Sequence, residues 1–285
     1  MSKKLLILGE NGLLGSSLKP YLISKKYHIL EYYNGSQRVD LTDENNVNSL
    51  LSNLRPDIII NLIALTNVEE CEKNPYNAYL LNAKVVENIS NWIKFINFNK
   101  AILIHLSTDH LYDNEGPNLE TNVKLSNYYA YSKYIGEKAA LTIPSIILRT
   151  NFFGKSINSN RRSFTDWLYD SLTNNHKITV FNDIYFSPLS MLSLIQIIET
   201  IIQNPKIGLF NLGATNGISK ANFATIFAEK LNLNSQKMIQ GDSRKLIPYR
   251  PRDMRMNCNF FENTYSIKLP TVECEIENVI SQYNS

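Results

Sequence analysis

Three glycines spaced G-x-x-G-x-x-G follow an apolar run near the start of the chain. Gly9, Gly12 and Gly15 come directly after residues 5–8 and directly before a helix-like stretch. A tight strand-to-helix turn needs glycine because the backbone must accept positive φ and come close to a bound pyrophosphate at the positive helix N-terminus. The motif therefore predicts a dinucleotide site. The alternative is a glycine-rich turn without a ligand.

Composition excludes several classes of protein. The chain has 285 residues, 44% of them apolar, which is enough for a full buried core. It has no apolar run as long as a membrane span and no signal-peptide pattern, so we expect a cytoplasmic protein without a membrane partner. Three scattered cysteines are too few for a disulfide framework or a zinc site. A net charge of +3 does not indicate nucleic-acid binding, but it suits an anionic cofactor.

Apolar runs alternate with helix-period stretches through the first half of the chain. Strands are predicted at 5–8, 28–32, 38–41, 57–62, 101–107 and 145–148. The runs around Ile59 and Leu103 are apolar without alternation, as expected when helices cover both faces of a parallel sheet. This rhythm predicts an α/β fold with a Rossmann-type doubly wound parallel sheet.

The rhythm changes after about residue 150. A polar, basic stretch precedes a helix-like segment that ends near residue 175, and then come a strand at 178–181, a helix through 202, a strand at 208–212 and a helix at 220–231. We expect a dinucleotide-binding domain over 1–150, with a segment near 184–206 returning to it. Residues 151–285 are expected to form a smaller, mainly substrate-binding α/β lid domain.

A Tyr-x-x-x-Lys pair is the second informative motif. The same spacing occurs by chance at Tyr21/Lys25 and Tyr134/Lys138, so position decides. Tyr129 and Lys133 begin a helical stretch after the predicted strand at 101–107, whose end carries Thr108, and they would share one helix face. Ligands of open α/β sheets bind at the carboxyl ends of strands, so these three side chains are candidates for one cleft. The alternatives are a turn cap at Thr108 and a partly buried aromatic at Tyr129.

The three residue types fit proton-coupled hydride transfer. A phenol with an ordinary pKa of about 10 becomes a better acid–base group when an ammonium lies nearby. In reduction, Tyr129 would donate a proton to a carbonyl oxygen that Thr108 holds by a hydrogen bond. Lys133 would lower the pKa of the phenol and bond the nicotinamide ribose, while the cofactor supplies the hydride.

The end of the second predicted strand bears on cofactor choice. A carboxylate there accepts bonds from the adenosine ribose of NAD, whereas an arginine or small polar residues leave room for the 2′-phosphate of NADP. The strand continues into YNGSQR at 33–38 without an acid at its tip, which favours NADP(H), with NAD(H) as the second choice. Glu31 is the missing acid if the strand register is shifted by two. Two interpretations of Arg38 are about equally good: the side chain contacts the 2′-phosphate, or it is a solvated charge on a loop.

Five stretches carry a pattern that runs along nearly the whole chain. They are GENGLLG at the start, VDLTD at 39–43, RPDIIINLIALTNVEECEKNPYNAYLLNA at 55–83, STDHLYD with the following YYAYSKYIGE, and RPRDMRMN near the end. Together they resemble the dTDP-4-dehydrorhamnose reductase branch of the extended short-chain dehydrogenase/reductases. The resemblance implies an oxidoreductase that reduces the 4-keto group of a nucleotide-activated 6-deoxysugar for surface polysaccharide synthesis.

The motifs and the resemblance assign candidate site residues. The catalytic set is Thr108, Tyr129 and Lys133. The cofactor set is Gly9, Asn11, Gly12, Leu13, Leu14, Gly15, Arg38, Asp40, Leu41, Ala64, Asn82, Tyr129 and Lys133. The substrate set is Thr66, Val68, Thr108, Asn151 and Arg252, with Arg252 near the nucleotide.

Two departures from related patterns narrow the expectation. Asp109 follows Thr108 where epimerising GDP-fucose synthases resemble a pattern with an acid–base cysteine, which favours simple reduction. Ser17 stands where some magnesium-bridged dimers of the family have a glutamate, so no metal is expected, and a homodimer would form without one. The alternatives are a nucleotide-sugar epimerase or dehydratase, and a non-catalytic regulatory subunit like that of methionine adenosyltransferase.

Overall fold

The structure, a computed structural model, describes residues 3–34, 37–98 and 100–284. The chain divides into two compact units. The first contains the described residues up to Thr108 together with Asn127–Leu148 and Glu199–Leu209. The second contains Asp109–Ser126, Arg149–Ile198 and the residues from Phe210 onward.

The elements are numbered in chain order. The strands are β1 (Lys4–Leu8), β2 (His28–Leu30), β3 (Tyr33–Asn34), β4 (Gln37–Arg38), β5 (Ile58–Asn61), β6 (Ile102–Thr108), β7 (Ser145–Thr150), β8 (Phe152–Phe153), β9 (Ile178–Phe181), β10 (Tyr185–Phe186), β11 (Leu189–Ser190), β12 (Gly208–Leu212), β13 (Ile218–Ser219) and β14 (Met238–Gly241). The helices are α1 (Gly15–Ser24), α2 (Glu44–Leu54), α3 (Val68–Lys73), α4 (Pro75–Tyr79), α5 (Val85–Asn91), α6 (Tyr128–Ala140), α7 (Phe164–Thr173), α8 (Met191–Gln203), α9 (Lys220–Lys230), α10 (Asn259–Tyr265) and α11 (Val272–Ile280).

A six-stranded sheet in the order β12-β7-β6-β5-β1-β2 organises the fold. The pairs β1–β2, β1–β5 and β5–β6 are parallel. From β1 the chain adds β2 on one side and β5 on the other, so the strand order reverses at β1 and β5. Ligands of doubly wound sheets bind at such a reversal, beyond the carboxyl ends of the strands.

The predicted fold class, an α/β Rossmann-type sheet, is confirmed. Central strands such as β5 are buried along their whole length, which explains their unbroken apolar sequence. Side chains of β1, β5, α2 and α5 pack into one core with Trp92. None of the helices in the described part of the chain combines the length and apolar character that crossing a membrane needs.

The strand predicted at 38–41 is wrong. Only Gln37–Arg38 is extended, and it pairs antiparallel with β3. Asp40 Oδ1 instead accepts bonds from the Thr42 backbone nitrogen at 2.9 Å and from Thr42 Oγ1 at 2.7 Å, which closes a turn. Asp43 then caps α2 through the Asn46 nitrogen. Local side-chain bonds therefore outweigh the apolar pattern here.

Strand β2 ends earlier than the sequence predicted. It covers His28–Leu30 rather than 28–32, because its register with β1 stops at the pair Leu6 and Leu30. Glu31 is therefore the first residue after the strand.

One continuous helix runs from Pro75 to Ile96 and contains two widened turns. The α-helical segments α4 and α5 are each followed by a π-helical stretch, Leu80–Lys84 and Trp92–Ile96. Such turns often occur at functional sites. The first one packs against α6.

Glycine at position 136 permits the close approach of α6 to this widened turn. A Cβ at Gly136 would lie 2.3 Å from the carbonyl oxygen of Asn82. Backbone atoms on both sides limit how far the contact can relax.

We expect Gly136→Ala to lower the free energy of unfolding by about 1–3 kcal/mol, although alanine is the better helix former. The urea midpoint measures the change. Ile135→Ala, at an exposed position of the same helix, is the control, with an expected change within about 0.5 kcal/mol. An unchanged midpoint for Gly136→Ala would show that the two helices separate without cost.

Candidate active site

The glycine turn joins β1 to α1 at the reversal of strand order. Gly9 has φ +86°, and a Cβ on it would lie 3.0 Å from the carbonyl carbon of Leu62, the first residue after β5. A Cβ on Gly15 would lie 2.3 Å from the oxygen of Gly9. The Gly12 nitrogen donates to that same oxygen at 2.9 Å. The turn is therefore as tight as the sequence predicted, and it packs against the exit of β5.

The start of α1 differs from the starts of its neighbours. Asp43, Asn67 and Asn127 cap α2, α3 and α6 through side-chain oxygens. The residue before α1 is Leu14, which makes no side-chain cap bond, and the first turn of the helix has no acidic residue. The Ser16 and Ser17 nitrogens donate to the carbonyl oxygens of Gly12 and Leu14. The positive end of the helix therefore has no side-chain cap and no carboxylate in its first turn that would compete with an anion.

The proposed catalytic residues lie on two elements that pack together. Thr108 is the last residue of β6, Tyr129 and Lys133 are on α6, and α6 packs against β6. All three side chains are buried. Lys133 Nζ donates to the carbonyl oxygen of Leu106 at 2.6 Å. Burial lowers the pKa of Lys133 to about 8, against an opposing effect of Glu137.

Helix α3 supports the helix that carries Tyr129. The backbone nitrogen of Tyr128 donates to Glu72 Oε1 at 2.8 Å, next to the cap at Asn127. The ring of Tyr129 belongs to a small buried cluster with Val68, Cys71 and Ala78. Three side chains of α3, those of Val68, Cys71 and Glu72, therefore fix the start of α6 and the position of the Tyr129 ring.

Cys71 lies in that cluster but is unsuited to acid–base chemistry. Burial, and to a smaller extent the nearby Glu70 and Glu72, raise the pKa of its thiol to about 11. Its Sγ lies 3.5 Å from the carbonyl oxygen of Leu65. The thiol stays protonated at neutral pH.

Asn82, which the sequence analysis assigned to the cofactor set, is fully buried, and its side-chain amide joins two segments of the chain. Its Oδ1 accepts from the Leu65 nitrogen at 2.7 Å, and its Nδ2 donates to the Leu65 oxygen at 3.0 Å and to Ser132 Oγ at 2.8 Å. Leu65 directly follows Ala64, another predicted cofactor residue. The amide thus ties the loop after β5 to the helix of Tyr129.

The other cofactor residues occupy distinct surroundings. Leu41 is buried, and its carbonyl accepts from Asn88 Nδ2 at 3.0 Å, while the exposed Asp40 holds the adjoining turn. Asn11 is exposed, and Gly12, Leu13 and Ala64 are partly exposed. The side chains of residues 33–38, that of Arg38 among them, lie outside the described part of the structure.

The substrate set is not gathered in one environment. Thr66 is exposed, whereas Val68 is buried against Tyr129. In the second unit, Asn151 Nδ2 donates to the buried Asp109 Oδ2 at 2.9 Å. Arg252 is exposed and lines an open cavity of ≈ 920 Å³.

Several polar residues near the strand ends had no sequence motif. Asn61 Nδ2 lies 3.2 Å from His105 Nδ1 across the β5–β6 pair, and Asn61 Oδ1 accepts from the Ile63 nitrogen. Burial, then Lys133, holds the pKa of His105 well below its ordinary value, so the imidazole is neutral. For Asn61 and His105, the sequence signal was a polar residue inside an otherwise apolar run. Glu72 and Asn88 had no such signal, because each bonds a residue that is distant in the sequence.

The described residues contain no group of three or more His, Cys, Asp or Glu side chains that could hold a metal ion.

Comparison with known proteins identifies the family. The model of the family described as RmlD substrate binding domain matches residues 3–285. A dTDP-4-dehydrorhamnose reductase of Aggregatibacter actinomycetemcomitans is 31% identical over 252 residues, covering 83% of this chain and 81% of that protein. The enzyme of the same name from Escherichia coli K12 is 26% identical over 98% of this chain and 97% of its own.

A solved structure agrees in fold. The dTDP-4-dehydrorhamnose reductase of Bacillus anthracis, in complex with NADP, superposes with a TM-score of 0.89 at 24% identity, covering 99% of this chain and 100% of that one. The resemblance found in the sequence motifs is thus confirmed. With the family model spanning nearly its whole length and a relative above 30% identity, the chain belongs to the RmlD substrate binding domain family.

Proposed function

We propose that this protein is an oxidoreductase that reduces the 4-keto group of a nucleotide-activated 6-deoxysugar with NADPH, for surface polysaccharide precursors. The observation that carries the proposal is the packing of α6 against β6, the strand that ends at Thr108. Lys133 donates to the carbonyl oxygen of Leu106 in that strand, and Tyr129 lies one turn before Lys133 on the same helix. The names of the matched relatives support the same reaction.

The residues present fit a dinucleotide. A pyrophosphate needs a close backbone approach and an uncapped helix start, and the turn at Gly9 and the start of α1 offer both. The NADP bound to the Bacillus anthracis relative supports the phosphorylated cofactor.

The side chains divide the work of reduction. When bound, the reduced nicotinamide supplies a hydride to the carbonyl carbon. Tyr129 donates its phenolic proton to the carbonyl oxygen, and the Thr108 hydroxyl holds that oxygen by a hydrogen bond. The Lys133 ammonium favours the phenolate that remains, and it would donate a hydrogen bond to the ribose of the bound cofactor. The protonated thiol of Cys71 adds no second acid–base group, which fits reduction without epimerisation.

The proposal extends to roles of the remaining residues. Residues 151–285 would recognise the substrate, with Arg252 at the nucleotide and Asn151 acting through its bond to Asp109. We also propose a cytoplasmic location, where nucleotide sugars are made, and a homodimer, which light scattering of the purified protein tests.

The first experiment follows NADPH oxidation by absorbance with a panel of dTDP-, UDP- and GDP-4-keto-6-deoxysugars, with and without a 3,5-epimerase. We expect turnover with one nucleotide class. Tyr129→Phe should lower kcat by about 10²–10⁴-fold, because it removes the proton donor while leaving the ring in place.

Tyr131→Phe, at an exposed position of the same helix, is the matched control and should retain activity. Equal activity of Tyr129→Phe and wild type would remove Tyr129 from the mechanism. If the protein binds the cofactor but turns over none of the sugars, the result would favour the alternative function, a non-catalytic regulatory subunit. Tightly copurified NAD would indicate an epimerase or dehydratase.

The lowered pKa of Lys133 predicts a pH dependence. The ammonium is lost as the pH rises through about 8, so we expect kcat/KM for reduction to fall above that pH. A pH profile of initial rates, with the sugar well below its KM and NADPH in excess, measures this. Lys133→Arg keeps its charge at high pH, so its falling limb should move up by about one unit or more. A limb that stays in place would assign the titration to another group, such as the phenol.

A further inference from the structure

Three charged side chains form a compact ion-pair triad in the first unit. Lys19 Nζ, on α1, lies 2.8 Å from Glu10 Oε2 and 2.8 Å from Glu31 Oε1, and it donates to Glu31 Oε2 at 2.9 Å. The Glu10 side chain is 4% exposed, that of Lys19 20% and that of Glu31 59%. One ammonium therefore faces a buried carboxylate and an accessible one.

The triad lies at the glycine turn. Glu10 is the second residue of the G-x-x-G-x-x-G motif, and Glu31 follows β2 directly. The next residue, Tyr32, accepts a bond at its Oη from the Gly9 nitrogen at 3.3 Å. In Rossmann folds the residue after the second strand, about 20 positions beyond the glycines, meets the 2′ position of the adenosine ribose. The triad thus occupies that end of the proposed cofactor site.

The charges of the triad act in opposite directions on the two nicotinamide cofactors. A carboxylate accepts a hydrogen bond from the free 2′-hydroxyl of NADH but repels the 2′-phosphate of NADPH. An ammonium attracts that phosphate. Burial alone would lower the pKa of Lys19, but its bonds to Glu10 and Glu31 outweigh burial and raise it above the ordinary value. Lys19 therefore stays charged at neutral pH.

We propose that Lys19 and Glu31 set the choice between NADPH and NADH in this protein. Lys19 neutralises Glu10 and Glu31 and attracts the 2′-phosphate, so NADPH is accepted in spite of two carboxylates. Glu31 acts against NADPH binding, because its carboxylate favours the unphosphorylated ribose of NADH. The inference rests on the proposed function, because it assumes that the glycine turn binds a nicotinamide cofactor.

The test measures dissociation constants of NADPH and NADH separately by fluorescence titration, without a sugar substrate. Glu31→Gln should raise the preference for NADPH, the ratio of the NADH constant to the NADPH constant, by roughly tenfold. Lys19→Met should lower that ratio by roughly tenfold, because two uncompensated carboxylates then face the phosphate. Lys19→Arg keeps the charge and should stay near wild type.

Matched controls come from the exposed ion pair of Lys230 and Glu277 in the second unit. Lys230→Met and Glu277→Gln make the same charge changes and should leave both constants unchanged. Melting temperatures identify variants that do not fold. Glu31→Gln is the decisive variant, because the side chain of Glu31 is exposed and we expect its replacement to leave the fold unchanged. Equal changes for the two cofactors in Glu31→Gln and Lys19→Met would overturn the triad as a selector. Failure of wild type to bind either cofactor would overturn the proposed function as well.

Discussion

The buried amide of Asn82 is the interaction on which the candidate site depends. It satisfies both backbone groups of Leu65 and reaches Ser132, so one side chain joins the loop after β5 to the helix that carries Tyr129 and Lys133. A buried amide with partners for its donors and its acceptor has a strong preference for one geometry, since any movement leaves a polar atom unpaired. The loop beside the glycine turn is therefore held in a fixed position relative to the helix of Tyr129 and Lys133.

Burial shifts the pKa values of the ionisable groups around Asn82 in different directions. It keeps His105 neutral and Cys71 protonated, which removes both from proton transfer near pH 7. It also brings the pKa of Lys133 to about 8, into a range where the charge of the ammonium responds to its surroundings. Apolar packing thereby leaves the phenol of Tyr129 as the acid that suits the reaction proposed here.

The sequence predicted much of this architecture, since unbroken apolar runs and a glycine motif are local signals. It also indicated Tyr129 and Lys133, because position after a strand separates that pair from chance repeats. It failed at Asp40, where a side-chain turn replaces a strand, and at the end of β2, where the strand stops at Leu30. Glu72, Asn88 and the partners of Asn82 were out of reach, because each contact joins segments that are distant in the chain.

Because Asn82 lies in the widened helical turn at Leu80–Lys84, the direction of its side chain depends on the number of residues in that turn as well as on their types. A π-turn holds one residue more than the α-turn it replaces, and each residue of an α-helix rotates its neighbours by about 100°. Loss of a single residue here would restore a regular helix and turn the amide away from Leu65, with every remaining side chain unchanged in kind. Among natural relatives, a one-residue deletion in this stretch would thus mark a chain whose loop after β5 is held in another way.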